Sequence, residues 1–135
     1  MNASSAIHRG SCLCGAVQFA LASDPKAAAH CHCRMCQKQH GAAFATYASV
    51  PRGDLRYLAG EDQLTAYRSS AHILRRFCRV CGSSIEWGGS PTHPDWVSIP
   101  LATLDTPFRP ARIRDVHLAS RAGWLAAAPA APPPS

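Results

Sequence analysis

The chain has 135 residues, which is enough for one domain with a modest core. Hydrophobic residues make up 47% of it, yet no run reaches the roughly 18 apolar residues that a membrane span requires, so we expect no membrane association. The formal net charge of +6 counts seven cysteines as neutral thiols and falls if they ionise. Charge alone therefore does not predict a nucleic-acid partner.

The predicted elements begin after a polar start. We expect residues 1–9 to be flexible, residues 10–125 to form the domain, and residues 126–135 to be a disordered Pro/Ala tail. Eight strands are predicted, at Val17–Leu21, Phe44–Val50, Leu55–Leu58, Leu64–Arg68, Ile73–Phe77, Ser84–Trp87, Trp96–Ile99 and Ile113–Leu118. One short helical turn is predicted around Cys33–His40. The predicted class is mainly β, built from antiparallel sheets.

The start of the chain, MNASSAIHRGSCLCG, lacks the apolar core of a secretory signal, which predicts a cytoplasmic protein. In that reducing compartment, seven cysteines indicate metal binding or thiol chemistry rather than disulfides. An odd count fits this interpretation, because pairing would leave one thiol over.

The cysteines form three groups, Cys12-Leu-Cys14, Cys31-His-Cys33-Arg-Met-Cys36 and Cys78-Arg-Val-Cys81. A C-x-x-C turn aims two sulfurs at one ion, and Gly82 suits the left-handed step that often ends it. One partition joins Cys12 and Cys14 to Cys78 and Cys81. The other joins the first pair to Cys33 and Cys36. We favour the first partition, because the second separates Cys31 from its neighbours.

Either partition leaves three cysteines for a second site. Four thiolates saturate a tetrahedral zinc ion and make a structural site, whereas three leave a position for water or substrate, as in catalytic zinc. We therefore expect two zinc ions per chain, the second of them labile, with Cys31, Cys33 and Cys36 as the open and catalytic site. Softness and tetrahedral preference favour zinc over iron. A redox dithiol at Cys33 and Cys36 and an iron–sulfur cluster are weaker alternatives.

Several histidines lie near these cysteines in the sequence. On an extended segment His30 and His32 would alternate away from the sulfurs and face outward. His40 is a candidate fourth ligand or proton shuttle, or else an ordinary histidine. His93, in the loop at residues 88–94, either reaches the site or belongs to a plain loop. The aromatic residues either wall a pocket above the ion or fill the core.

Four stretches, GSCLCGAVQF, HCHCRMCQKQHGAAFATY, RRFCRVCGSSIEW and VHLASRAGWL, resemble the family of glutathione-dependent formaldehyde-activating enzymes, which includes the centromere protein V type. The resemblance implies an Mss4-like, β-tent fold of antiparallel sheets held together by zinc. It also implies a structural zinc site and a second zinc site, formed respectively by Cys12, Cys14, Cys78 and Cys81 and by Cys31, Cys33 and Cys36.

The family's activity is the addition of glutathione to formaldehyde to give S-hydroxymethylglutathione, a reaction of the carbon–sulfur lyase class. The resemblance thus implies a small thiol such as glutathione and a small aldehyde as partners. Three thiolates would leave the zinc centre at −1. Arg34 or Lys38 can offset that charge, although exposed side chains on a short helix are more often simply solvated. The alternative function is a zinc-stabilised binding module without catalysis.

Overall fold

The computed structural model describes residues 6–125, which form ten β-strands and one α-helix. The strands are β1 (His8–Ser11), β2 (Gln18–Leu21), β3 (Lys26–Cys31), β4 (Ala45–Pro51), β5 (Leu55–Ala59), β6 (Leu64–Arg68), β7 (Leu74–Cys78), β8 (Ser84–Gly88), β9 (Trp96–Pro100) and β10 (Arg114–Val116), and the helix is α1 (Arg34–His40). All eight predicted strands are present, and β1 and β3 are additional. The first strand begins at His8, within the segment predicted to be flexible. The predicted tail at 126–135 lies outside the described residues.

Two sheets organise the described chain. The smaller has the order β1-β2-β5 and is antiparallel, and the larger has the order β10-β3-β4-β9-β8-β7-β6. The larger sheet is antiparallel except at one edge, where β10 runs parallel to β3 and Val116 is level with Cys31. The prediction of a mainly β fold with one short helix is confirmed, although the sheets are not antiparallel throughout. A parallel pair needs a long connection, and here most of the chain separates its two strands.

The core lies between the two sheets. Phe19 and Leu21 of the small sheet are fully buried in one cluster with Val50, Val97 and Ile99 of the large sheet. Contact with the ring of Phe19 is close enough that a Cβ added at residue 10 would lie 2.2 Å from its Cζ atom, so this position requires glycine.

Strand β4 contributes side chains to both faces of the large sheet. Successive side chains of a strand point to opposite faces. Ala48 and Val50 accordingly face the core, whereas Tyr47 and Ser49 line a cavity on the other face. Helix α1 lies at one end of that second face, where Cys36 packs against Tyr47. The large sheet therefore separates the hydrophobic core from the cavity.

Candidate active site

The first cysteine cluster joins the two sheets. The sulfurs of Cys12, Cys14, Cys78 and Cys81 lie within 4.8 Å of one another. Cys12 Sγ is 3.6 Å from Cys14 Sγ, which is 3.9 Å from Cys78 Sγ. Zinc–sulfur bonds near 2.3 Å give tetrahedral sulfur separations of about 3.8 Å, so this donor set fits one four-coordinate metal ion.

Two tight turns build this cluster. The N–H of Gly15 donates to the Cys12 carbonyl at 3.1 Å, and the N–H of Gly82 donates to the Cys78 carbonyl at 2.8 Å. Both glycines have φ near 82°, a region that strongly favours glycine. The N–H of Val17 also donates to Cys12 Sγ at 3.2 Å, which favours the thiolate that a metal ion requires.

The second cluster contains Cys31, Cys33 and Cys36, whose sulfurs lie within 4.8 Å of one another. Cys31 ends β3, Cys33 caps the N-terminus of α1, and Cys36 lies in its first turn. Cys36 is buried, while the other two are partly exposed. The sulfurs therefore fall into the first of the two predicted partitions, and each group can hold a metal ion consistent with zinc.

Hydrogen bonding among these thiols makes their pKa values unequal. The Cys36 thiol donates toward Cys31 and lowers the pKa of Cys31 to about 5. The same contact, together with burial, raises the pKa of Cys36 above its ordinary range. Arg75 acts in the opposite direction on Cys36, because its Nη1 donates to Cys36 Sγ at 3.6 Å.

The cation that contacts this centre is Arg75, which was not among the candidates in the sequence. Arg34 donates to Gln37 Oε1 at 2.5 Å, and Lys38 is exposed, whereas Arg75 is 3% exposed and reaches a sulfur from β7. Arg34 and Lys38 are the basic residues nearest to these cysteines in the sequence. The large sheet instead brings β7 beneath the helix, a neighbour that local sequence does not reveal.

A cavity of about 670 Å³ opens onto the three-cysteine cluster. Four side chains on four adjacent strands form a row along its floor: Ser49, Ser98, Trp87 and Arg75. The Oγ atoms of Ser49 and Ser98 are 2.9 Å apart. All three cysteines line the cavity, so a fourth ligand of an ion held there can enter from it.

Known proteins resemble this chain in both sequence and structure. The sequence profile of the glutathione-dependent formaldehyde-activating enzyme family matches residues 7–119. The chain belongs to this family. The predicted family is thereby confirmed, and the fold class agrees with that of a solved relative. The crystal structure of a Rhodobacter sphaeroides protein resembles this chain with a TM-score of 0.64 and 26% sequence identity. The match covers 79% of this chain and 98% of the Rhodobacter protein.

Three similar proteins carry the name "Putative glutathione-dependent formaldehyde-activating enzyme". The Halomonas elongata protein is 32% identical over 86% of this family member and 78% of its own length. The Colletotrichum graminicola and Podospora anserina proteins are 32% and 33% identical over 53% and 62% of this chain. Each of these two fungal matches spans only 40% of the relative's length.

His40 does not join the three sulfurs of this family member. Its Nε2 lies 2.8 Å from the hydroxyl of Tyr47, and the two rings meet edge-on. Burial and the nearby Arg75 lower the pKa of His40, and burial raises the pKa of Tyr47. Both groups are therefore neutral near pH 7. His40 lies behind a tyrosine of the cavity wall rather than at a ligand position.

The neighbouring histidines have other partners. The prediction that His32 faces outward is wrong, since it is 3% exposed and its Nε2 lies 2.9 Å from Asp115 Oδ1. Strand β10 covers it by pairing beside β3. His30 is partly buried against Phe44, with its Nδ1 2.8 Å from Thr46 Oγ1.

The cavity rim of this family member carries positive and titratable side chains. Lys26 and Arg114 line it on the β3 and β10 side together with His117, and His93 lines it from the loop after β8. Trp96 also lines the cavity, as does Trp87 on its floor, so two of the three tryptophans contribute to the cavity lining. In residues 6–125, no helix is long and apolar enough to cross a membrane.

Gln37 was overlooked in the sequence. It is 5% exposed, and its Nε2 donates to the carbonyls of His32 and Ser120 at 2.7 and 2.8 Å. It thereby ties the helix that carries Cys36 to the segment after β10. Its place one residue after a cysteine was the only signal for it.

Proposed function

We propose that this family member catalyses the addition of glutathione to formaldehyde, giving S-hydroxymethylglutathione, with one zinc ion held by Cys31, Cys33 and Cys36. The observation that carries this proposal is that a group of only three cysteines opens into a cavity. A second zinc ion, held by Cys12, Cys14, Cys78 and Cys81, would be structural because four thiolates saturate it.

The cavity supports a substrate of this size and charge. Its volume of about 670 Å³ lies in the range of small-molecule sites. A cavity of this size is larger than formaldehyde needs and has room for a thiol such as glutathione. Glutathione carries two carboxylates in addition to its thiol. Lys26 and Arg114 on the rim offer the cationic donors that carboxylates bind.

The step moves one proton. The sulfur of glutathione forms a bond to the carbonyl carbon, the C=O π electrons pass to oxygen, and the thiol proton ends on that oxygen. Zinc bound at three cysteines would lower the thiol's pKa or polarise the carbonyl, and would bring the reactants together. The chain's own residues then need to supply a proton donor beside the cavity.

Tyr47 and His40 fit that role. Tyr47 lines the cavity, and its hydroxyl lies 2.8 Å from His40 Nε2. In the tautomer with hydrogen on Nε2, His40 donates to the Tyr47 oxygen and leaves the phenolic O–H free to donate into the cavity. Tyr47 would then pass its phenolic proton to the new alkoxide oxygen and recover the proton that the glutathione thiol loses, while the hydrogen bond from His40 stabilises the intervening phenolate. This is the shuttle role predicted for His40, exerted through Tyr47.

The alternative function, a zinc-stabilised binding module, would use both cysteine groups for stability alone. A module of that kind has no need of a three-cysteine group beside a large cavity with Ser49, Ser98 and Arg75 on its floor. The cavity therefore favours the enzyme.

The experiment is a measurement of exchange between free formaldehyde and S-hydroxymethylglutathione by two-dimensional NMR with ¹³C-formaldehyde. Zinc-loaded protein should accelerate exchange above the uncatalysed rate, and the Cys36→Ser variant should not. An absence of acceleration with both zinc ions bound would refute the proposed activity. Val80→Ala, at an exposed position near the other cluster, serves as the control and should behave as the wild type.

A further inference from the structure

Arg75 is a buried cation directly beside the three-cysteine cluster. Its side chain extends from β7, and 3% of the residue is exposed. Its Nη1 donates to Cys36 Sγ at 3.6 Å and to Gln39 Oε1 at 2.8 Å, and its Nε donates to Ser69 Oγ at 2.9 Å. Of these three partners, only the sulfur of Cys36 can become anionic, as the thiolate that a metal ion requires.

No carboxylate neutralises Arg75 within the described residues. Two other arginines do pair with carboxylates: Arg52 and Arg76 with Glu86, and Arg76 also with Glu61 at 4.0 Å. Burial of a guanidinium without a counter-charge is strongly unfavourable. The cysteine sulfurs are therefore the negative partner that allows Arg75 to be buried.

The charges of this centre balance only when Arg75 is included. Three thiolates and one divalent ion sum to −1, and Arg75 brings the sum to zero. A thiolate arriving as the fourth ligand then gives −1 with Arg75 present but −2 without it. A neutral fourth ligand leaves the sum unchanged. Because charge interactions are strong in a buried site, Arg75 affects anionic and neutral ligands differently.

We propose that Arg75 is the counter-ion of the three-cysteine centre and sets the preference of its open position for a thiolate over a neutral ligand. This inference rests on the proposed function in one respect only, that a divalent ion binds at Cys31, Cys33 and Cys36. It specifies thiolates as the ligand class whatever the second substrate is. Arg75 is a positioning residue, because it acts through Cys36 and the charge of the centre.

The test uses protein loaded with Co²⁺, whose visible absorption reports a change of ligand at an open site. Wild type and the Arg75→Gln variant are titrated with 2-mercaptoethanol, which binds as a thiolate, and with imidazole, which binds as a neutral ligand. The substitution should weaken thiol binding about tenfold or more while changing imidazole binding by less than about twofold. Arg68→Gln removes an exposed positive charge from β6 and should change neither titration.

An equal effect on both ligands, or an effect on neither, would overturn the inference. If Arg75→Gln does not fold, Arg75→Lys keeps the charge and should keep the wild-type ratio of thiol to imidazole affinity. Loss of that ratio in a folded lysine variant would also overturn it. An Arg75-dependent preference without any glutathione–formaldehyde turnover would refute the proposed function and leave this inference standing. A cobalt spectrum that responds to neither ligand in wild type would show a closed site and reject the inference.

Discussion

The sulfur of Cys33 accepts a hydrogen bond from the backbone N–H of Cys36 at 3.3 Å, where helix α1 begins. One predicted metal ligand thus caps the helix that carries another. The N–H of Gln37 also donates to the Cys33 carbonyl, at 3.0 Å. The first turn of α1 and the three-cysteine cluster therefore depend on each other, and removal of an ion should loosen both.

Zinc content should reflect the difference between the two clusters. We expect two zinc ions per chain by elemental analysis, one of which is lost on mild chelation because only three protein ligands hold it. Amide exchange at Cys36 and Gln37 should become faster in the same step. Amides around Cys78 should stay protected until the second ion leaves. One zinc ion that resists chelation would contradict the two-site interpretation.

Serine substitutions should separate the clusters by their effect on stability. Cys78 is fully buried and its cluster joins the two sheets, so Cys78→Ser should lower the free energy of unfolding by about 3 kcal/mol or more. Cys36→Ser should leave the strands folded and abolish exchange catalysis. Urea unfolding followed by circular dichroism measures the first effect. Equal destabilisation by both substitutions would favour the binding module.

Tyr47→Phe should preserve the fold and slow the reaction. The substitution removes only the hydroxyl that lies 2.8 Å from His40 Nε2. Proton transfer of this kind contributes about 10²-fold or more, so we expect a decrease of that order in kcat with little change in KM. Tyr67→Phe removes the hydroxyl of a residue that is 63% exposed and is the matched control. An unchanged kcat in Tyr47→Phe would exclude the relay.

His40 should contribute to the pH dependence of stability. Burial and Arg75 hold its pKa below the ordinary value of 6.5. As pH falls through that value, the unfolded chain takes up a proton that the folded chain resists, so the free energy of unfolding decreases. His40→Gln should make this decrease shallower between about pH 5.5 and 7 in zinc-saturated protein. Identical pH curves for the two proteins would contradict the assignment, and NMR titration of the His40 ring provides a direct check.

Glu86 should be important for stability and not for the reaction. Its side chain is 1% exposed, and it accepts from Arg76 at 2.9 Å, from Arg52 at 3.3 Å and from the hydroxyl of Tyr57. Glu86→Gln removes the charge that both arginines share. Because these arginines are partly exposed, we expect a loss of about 2 kcal/mol rather than the larger cost of a fully buried pair. Glu61→Gln, at an exposed carboxylate 4.0 Å from Arg76, should cost much less in the same urea titration.

The strands and the cysteine groups were predictable because their signals are local. Alternating apolar residues predicted β2, and the C-x-x-C spacing predicted that Cys78 and Cys81 act together. Strand β3 gave no such signal, because KAAAHC is rich in alanine, a residue that strands disfavour. It becomes a strand by pairing with β4 and β10. Tertiary pairing thus overrode local preference at the strand that carries Cys31.

The electrostatics of the site could not be predicted in the same way. Arg75 and Arg76 are adjacent and chemically identical, yet Arg75 contacts Cys36 and Arg76 contacts Glu86 on the opposite side of the sheet. Only the register of β7 against β8 distinguishes them, and register depends on the whole sheet. Arg34 and Lys38 were nearest in sequence, and neither is the residue that contacts a sulfur.

The division of the large sheet into a core face and a cavity face also bears on how such a protein can diverge. Val50 and Ile99 fill the core, while Ser49 and Ser98, one position away on the same strands, form the cavity floor. Floor positions can therefore change in size or polarity without disturbing the hydrophobic packing next to them. Descendants of one ancestral chain could in this way acquire new substrates by single substitutions while both cysteine clusters and the strand order remain unchanged.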